Sequence, residues 1–380
     1  MSKVFLFINT HYLPDSHFGG VVESGSKLLK FLRRVADFRL STVSRTPHSS
    51  VPYLAPGDHC YRSLGFHRFA FSLVAITGLW RDIRSCDVAL INGIFTFPVT
   101  LAALYAVIQN KPFIVATRGG LEPWRVAHKK WKKYLYIKFI TLPLMRRARY
   151  VHVTSREEGN NIRALGFKNT INISNGIDAE EFANLPGRDK AVGQCGSRFV
   201  FLFLSRTDKE KGLDILLAAY RRFCSDFPTD GHVLCLVGPD HQGYLKGMNL
   251  DYVKENIERM AGVYGADKLS LLRRADVLVL PSYSENFGNV VAEALACETP
   301  VITTTGTPWA ELEKVGCGLY IEPTADKLFE AMNSMYRKTK AERQKMGCKG
   351  RQYIFENFNW EAKAKELFEY LRRIGDEDNK

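Results

Sequence analysis

Residues 278–304, LVLPSYSENFGNVVAEALACETPVITT, decide the fold. A short apolar run is stopped by Pro281, a polar loop follows, an amphipathic segment starts near Asn289, and a second apolar run closes the stretch. Strand, loop, helix and strand in this order, with continuously apolar strands, belong to a parallel sheet covered on both faces. Gly288 stands immediately before the helix, where a residue without a side chain lets a ligand reach the backbone N–H groups of the first turn. The helix dipole favours an anion there, and phosphate is the obvious one. Glu285 in the loop and Glu293 about one turn into the helix can face the same ligand. Carboxylates beside a phosphate are better suited to accept hydrogen bonds from sugar hydroxyls than to touch the phosphate itself.

The same alternation extends outward. In the first half, VFLFINT (4–10) precedes GSKLLKFLRRVADF (25–38), DVALI (87–91) precedes PVTLAALYAVI (98–108), and PFIVAT (112–117), YVHVTS (150–155) and TINIS (170–174) follow. In the second half, RFVFLFLS (198–205), LDILLAAYRRF (213–223), HVLCLVG (232–238) and GLYIE (318–322) continue it. A polar stretch rich in turn residues separates the halves, so the reading is an acceptor-side domain over 1–177, a linker over about 178–197 within a second domain ending at 355, and a terminal amphipathic helix over 356–380. The expected class is α/β, two Rossmann-like doubly wound parallel sheets facing across a cleft, with ligands at the carboxyl ends of the strands.

Two more strings carry chemistry. In FLSRTDKEKGLDIL (203–216), Arg206 and Lys211 stand between a strand end and a helix, where guanidinium and ammonium can converge on one anion and Gly212 permits close approach. In THYLPDSHFGGVV (10–22), Gly19 and Gly20 precede a helix expected near Val22. A Gly-Gly pair alone is more often a tight turn, so its weight comes from its position after the first strand.

Composition limits what else the chain can be. Its 380 residues are 46% apolar, enough for two ordinary cores and incompatible with disorder. Neither FAFSLVAITGLW (69–80) nor IFTFPVTLAALYAVI (94–108) reaches the roughly 18–20 residues of a bilayer span, and the N-terminus lacks a signal-like apolar run, so a cytoplasmic protein is expected. The eight cysteines are widely spaced without a C-x-x-C, and are read as reduced thiols. The net charge of +13 is uneven: residues 1–190 hold 27 basic and 13 acidic side chains, residues 191–380 hold 26 and 27. From Pro123 to Arg156 there is no acidic residue and there are ten basic ones. Trp124, Trp131, Leu135, Phe139 and Leu142 recur there at helical spacing, so 124–149 is expected to form an amphipathic helix on an anionic membrane surface, with a core-packed helix as the alternative. No nucleic-acid-binding motif accompanies the charge.

These residues together resemble glycosyltransferase family 4, the retaining, nucleotide-sugar-dependent enzymes of GT-B architecture. The resemblance spans nearly the whole chain through the Gly19–Gly20 loop, SNGID (174–178), SRTDKEKG (205–212), VGPD (237–240) with Gly238, the pair Glu285 and Glu293 with seven residues between them, and the terminal FNWE helix. It implies that Arg206 and Lys211 bind the donor diphosphate, and that Glu285 with the backbone at Asn286, Phe287, Gly288 and Asn289 holds the donor sugar. Glu293 would take the ribose hydroxyls, the backbone near Val263 the base, and Gly20 the phosphates. It further implies a metal-independent reaction with no cofactor beyond the nucleotide sugar. The substrate expected as acceptor is a glycan or lipid-linked glycan of polysaccharide or lipopolysaccharide assembly, with the enzyme peripheral on the cytoplasmic membrane face.

The acceptor half departs from the family. Where related sequences often carry histidine at strand ends, this chain has Asn92 and Arg118, the latter suited to a phosphate or carboxylate and within reach of Glu122 as a partner. His11 and His17 are further acceptor-side candidates, and Tyr12, Phe18 and Trp309 candidates for lining a sugar site. A GT-B nucleotide-sugar 2-epimerase and a non-catalytic binding protein of the same fold are the alternatives. Intact Arg206, Lys211, Glu285 and Glu293 count against both.

Overall fold

The computed structural model describes residues 3–12, 20–44, 54–64, 69–123, 131–185, 187, 197–228, 231–240, 243–247 and 256–377. The chain divides into two compact units, Met1–Gly176 with Trp360–Lys380, and Ile177–Asn359.

The first unit is built on seven strands, β1 (Phe5–Asn9), β2 (Phe38–Ser44), β3 (His59–Arg62), β4 (Val88–Asn92), β5 (Phe113–Ala116), β6 (Tyr150–Val153) and β7 (Thr170–Asn172). They pair in the order β3-β2-β1-β4-β5-β6-β7, and every pairing is parallel. The order reverses between β1 and β4, which run in register so that Asn9 lies opposite Asn92 at their carboxyl ends. Such a reversal parts the flanking connections and leaves room for a ligand just beyond the strands. Helix Gly20–Leu32 begins two residues before the position expected from the sequence and packs on one face. The terminal helix Trp360–Glu377 belongs to this unit. Trp360, Ala364, Leu367, Leu371 and Ile374 are buried against Phe5, Leu28 and Phe38. That is one helical stripe, and each fully buried leucine in it contributes roughly 1.5–3 kcal/mol of burial energy.

Six strands make the second sheet: β8 (Phe199–Leu204), β9 (His232–Val237), β10 (Ile257–Met260), β11 (Val277–Leu280), β12 (Val301–Thr304) and β13 (Gly318–Ile321). They too are all parallel, in the order β10-β9-β8-β11-β12-β13, with the reversal between β8 and β11. The stretch read as a linker starts inside this unit: Asp178 caps the turn Ala179–Phe182 and Phe182 is buried in the core. At its other end the unit reaches Asn359 rather than 355, because Ile177 N–H donates to the Phe358 carbonyl and Ile177 bridges to Asn359.

The basic segment differs from a plain amphipathic helix. Residues 124–130, including Trp124, lie outside the described residues. From Trp131 the chain runs as helix to Tyr136, widens to a π-turn over Ile137–Thr141 and returns to helix at Leu142–Met145. The buried side is Ile137, Thr141 and Met145, four residues apart. Three residues of the stripe read from the sequence face outward, as a surface-lying helix has them and the core-packed alternative does not: Trp131 is 68% exposed, Phe139 66% and Leu135 40%, while Leu142 is half-buried. No helix among the described residues is long and apolar enough to cross a membrane.

Candidate functional site

At the β8/β11 reversal the second unit gathers the motifs from three turns. Loop 281–288 is held by backbone bonds from Tyr283 N–H to the Glu210 carbonyl (2.9 Å) and from Glu285 N–H to the Gly306 carbonyl (2.8 Å). The indole N–H of Trp309 donates to the Phe287 carbonyl (2.6 Å), and the Trp309 ring packs on Phe287 and Phe358. Trp309 is buried, so it fixes the loop from beneath and does not line a sugar site. Gly288 closes the loop with φ +74°, a left-handed conformation that costs glycine little, and caps helix Asn289–Ala296. Gly212 has φ +68°, and a Cβ there would stand 1.9 Å from the Pro281 carbonyl oxygen, so only glycine lets the turn after β8 lie against the end of β11.

That contact sets the charges. Lys211 Nζ forms an ion pair with Glu285 Oε1, their side chains 7% and 12% exposed. Arg206 is more open and pairs with Asp208 at 3.3 Å. The two cations read as converging on one anion therefore have different carboxylate partners in this structure. Glu293, buried in its helix, accepts from Lys268 Nζ at 2.8 Å. Lys268, on helix Gly265–Arg274, was missed in the sequence reading, since a lysine in a polar surface helix gives no signal. Val263 is half-buried before that helix. Gly238 sits where a Cβ would come within 1.9 Å of the Ser205 carbonyl, bringing the end of β9 against that of β8. Tyr283 Oη donates to Asp214 at 3.0 Å, and burial followed by that carboxylate pushes its pKa up to about 12.

The first unit builds a second polar cluster at its own reversal. Arg118, just past β5, has φ +49°, an uncommon conformation for a non-glycine residue, and is 7% exposed. Its Nε donates to Asn92 Oδ1 and its Nη1 to Asn175 Oδ1 (2.9 Å). Asn92 Nδ2 donates in turn to Asn9 Oδ1 (3.0 Å). The pairing of Arg118 with Glu122 expected from the sequence does not occur: Glu122 accepts from Asn161 Nδ2 at 2.8 Å. Glu158 is the buried carboxylate felt by Arg118, yet its oxygens take Thr117 Oγ1, Gly119 N–H, Thr154 N–H and Thr154 Oγ1. Burial draws the Arg118 pKa down to about 10, leaving it charged at neutral pH. His152 is buried beside it and held neutral, its pKa lowered to about 3 chiefly by desolvation and then by Arg118, with Nε2 against the Ile173 carbonyl. Tyr12 packs in the core of this unit rather than lining a sugar site, and His11 is half-buried. Gly19, His17 and Phe18 lie outside the described residues, whereas Gly20 opens helix Gly20–Leu32.

Two all-parallel doubly wound units, each with its polar groups at the strand reversal, define the GT-B class. The fold matches that of the Anabaena protein HepE, solved with UDP and glucose, at a TM-score of 0.77 and 18% identity over 98% of this chain and 100% of that one. It also matches sucrose-phosphate synthase from Thermosynechococcus elongatus at 0.74 and 20% identity, covering 98% and 99% of the two chains. In sequence, the chain is 28% identical to alpha-maltose-1-phosphate synthase of Mycolicibacterium smegmatis, over 96% of this chain and 98% of the relative. It is 30% identical to D-inositol 3-phosphate glycosyltransferase of Kineococcus radiotolerans over 52% of this chain and 50% of that protein. Residues 18–181 match the family model described as Glycosyltransferase Family 4, and residues 189–353 the model of Glycosyl transferases group 1. The chain belongs to the family 4-type glycosyltransferases.

Proposed function

We propose that the protein is a retaining glycosyltransferase that moves a sugar from a nucleotide diphosphate sugar to a hydroxyl of a glycan or lipid-linked glycan. The observation that carries this reading is the pinned loop 281–288: Gly288 aims the start of a helix outward, Glu285 stands beside it, and Lys211 is held against Glu285. A helix start with a lysine and an arginine nearby stabilises the charge that appears on the diphosphate as the anomeric bond breaks. Arg206 and Lys211 supply that charge without a divalent cation, which is why metal independence is part of the proposal. Glu285 and the backbone of Asn286, Phe287, Gly288 and Asn289 hold the transferred sugar, Glu293 the ribose, and Val263 and Gly238 border the nucleoside. In the step itself the acceptor oxygen bonds to the anomeric carbon, the bond to the diphosphate breaks on the same face, and the acceptor proton passes to the departing phosphate oxygen. Asn92, Arg118, Glu122, His11 and His17 belong to the acceptor side. That HepE was solved with UDP and glucose supports the donor class.

A second element concerns location. Trp131, Tyr134, Leu135, Phe139 and Ile140 are exposed on one helical run, with Lys138, Arg146, Arg147 and Arg149 exposed along it. Outward aromatic and aliphatic side chains among cations fit the headgroup region of an anionic bilayer, so the enzyme works at the cytoplasmic membrane face in surface-glycan synthesis.

Thermal stabilisation by UDP-, GDP-, ADP- and dTDP-sugars in EDTA tests the donor reading, because a ligand of the folded state raises its stability by mass action. Stabilisation by one nucleotide class, lost in Arg206→Ala and Lys211→Ala, is the expected result. A response that requires Mg²⁺, or an inverted product anomer by NMR, refutes the mechanism.

A further inference from the structure

The hydrogen bonds around Arg118 have a direction. A guanidinium only donates, so Asn92 must turn its carbonyl oxygen to Nε. Its Nδ2 is then a donor and takes Asn9 Oδ1, which leaves Asn9 Nδ2 as the end of the relay. On the other side Asn175 Oδ1 takes Nη1, and Nη2 is left over. Both ends, Asn9 Nδ2 and Arg118 Nη2, are shut off from solvent and have no hydrogen-bond partner. Both are donors, and the polarity that makes them so originates at Arg118. Among the described residues no carboxylate forms an ion pair with Arg118, since the four bonds Glu158 accepts come from neutral groups. Glu158 acts on the guanidinium only through space, and a buried cation with no carboxylate bonded to it is costly, as is each unmade hydrogen bond. The backbone at Arg118 is also in the left-handed region, and strain of this kind gathers at functional sites. The cluster lies at the carboxyl ends of β1, β4 and β5, at the reversal where parallel sheets receive ligands.

We propose that Arg118 and the Asn92–Asn9 relay form a recognition site for an oxyanion, a carboxylate or phosphate carried by the sugar substrate. This deepens the glycosyltransferase reading and rests on it for the word substrate. A neutral sugar hydroxyl offers Nη2 an uncharged acceptor, whereas an oxyanion makes the charge-assisted bond that Glu158 does not make.

Calorimetric titration of the full chain at constant ionic strength tests the site. The first arm compares glucuronate and glucose 6-phosphate with glucose, in the presence and absence of UDP. The second compares UDP-glucuronate with UDP-glucose. A preference of at least tenfold for a charged member of the first arm places the anion on the acceptor, and the same preference confined to the second arm places it on the transferred sugar. In either case Arg118→Gln removes the preference and leaves UDP affinity unchanged. Asn9→Asp keeps the acceptor for Asn92 Nδ2 and installs an internal carboxylate, so it removes the preference even if Arg118→Gln fails to fold. Equal binding of charged and neutral members in both arms, or a preference that survives in the variants, overturns the proposal. Absence of UDP binding with retained binding of glucose 6-phosphate excludes the uridine donor and leaves the oxyanion site standing.

Discussion

Lys211 and Glu285, 74 residues apart in the chain, meet as an ion pair largely closed off from solvent between the turn after β8 and the loop after β11. In the proposed reading each partner binds a different part of the donor, so that reading predicts that the pair loosens as the ligand enters. Removing one partner of a buried pair leaves an uncompensated charge and typically costs about 3–5 kcal/mol. Lys211→Met is expected to lower unfolding stability by an amount near the low end of that range, since neither side chain is wholly buried. Glu285→Gln leaves a hydrogen-bonding amide and a lysine free to meet phosphate. Its donor affinity should stay within about threefold of wild type while turnover falls by roughly two to three orders of magnitude, the scale of losing one well-placed polar group in a transition state. Urea unfolding and donor-release kinetics read the two effects separately. Equal turnover in Glu285→Gln and wild type removes Glu285 from the reaction.

Trp309 links packing to the same loop. Trp309→Phe keeps a ring between Phe287 and Phe358 and loses only the N–H that holds the Phe287 carbonyl. The net loss expected is about 1 kcal/mol. Because that carbonyl lies one residue before the helix cap at Gly288, turnover should drop several-fold beyond what the stability change explains. A variant as stable as wild type and equally active shows that the loop is fixed without it.

The fold was legible because its central strands are buried on both faces and read as unbroken apolar runs, as in FVFLFL of β8 and VALIN of β4. Two edge strands, β3 and β10, and the interior strand β2 gave no such signal. HCYR of β3 has two exposed ends, IERM of β10 is only partly buried, and FRLSTVS of β2 breaks its apolar run with Arg39, Ser41, Thr42 and Ser44. Phe38 was read as the end of a helix, yet that helix stops at Leu32 and Phe38 starts β2. Motif residues at the site were equally visible, whereas their partners were not. Lys268, Asn9 and Asn175 acquire meaning only when the sheets bring distant strand ends together, and no local pattern announces that. In the basic segment, helical periodicity and the surrounding charge identified an outward stripe of Trp131, Leu135 and Phe139, but not the π-turn over Ile137–Thr141, because no local pattern reports a widened turn.

That outward face makes a membrane prediction with two separable parts. Exposed apolar side chains contribute roughly 1.5–3 kcal/mol each when fully buried, and each cation near an anionic surface about 1 kcal/mol. Binding to vesicles containing anionic lipid should exceed binding to neutral vesicles and weaken with salt. Trp131→Ser with Phe139→Ser should cut it at least tenfold while leaving the salt dependence unchanged, as measured by co-sedimentation. Equal binding to anionic and neutral vesicles at low salt assigns the charge block another purpose.

His152 provides a prediction about pH. In the folded protein it is buried and neutral with a pKa near 3, lowered first by desolvation and then by Arg118, whereas an unfolded histidine titrates at about 6.5. The unfolded chain therefore binds a proton that the folded chain refuses. The stability associated with neutral His152 is fully present above pH 6.5 and is lost progressively as pH falls from there toward 3. Each pH unit within that window is worth about 1.4 kcal/mol, so moving from pH 7 to pH 5 should remove roughly 2 kcal/mol through this residue alone. Carboxylates also titrate below pH 5, and the comparison with His152→Gln isolates the histidine: the glutamine side chain can donate to the Ile173 carbonyl as Nε2 does, but it does not protonate. The variant is expected to be less stable than wild type at pH 7 and to lose about 2 kcal/mol less on acidification to pH 5, read from urea midpoints at the two pH values. Parallel losses in the two proteins would mean that His152 takes up its proton in the folded state, and that Arg118 lies in a more polar setting than its burial implies.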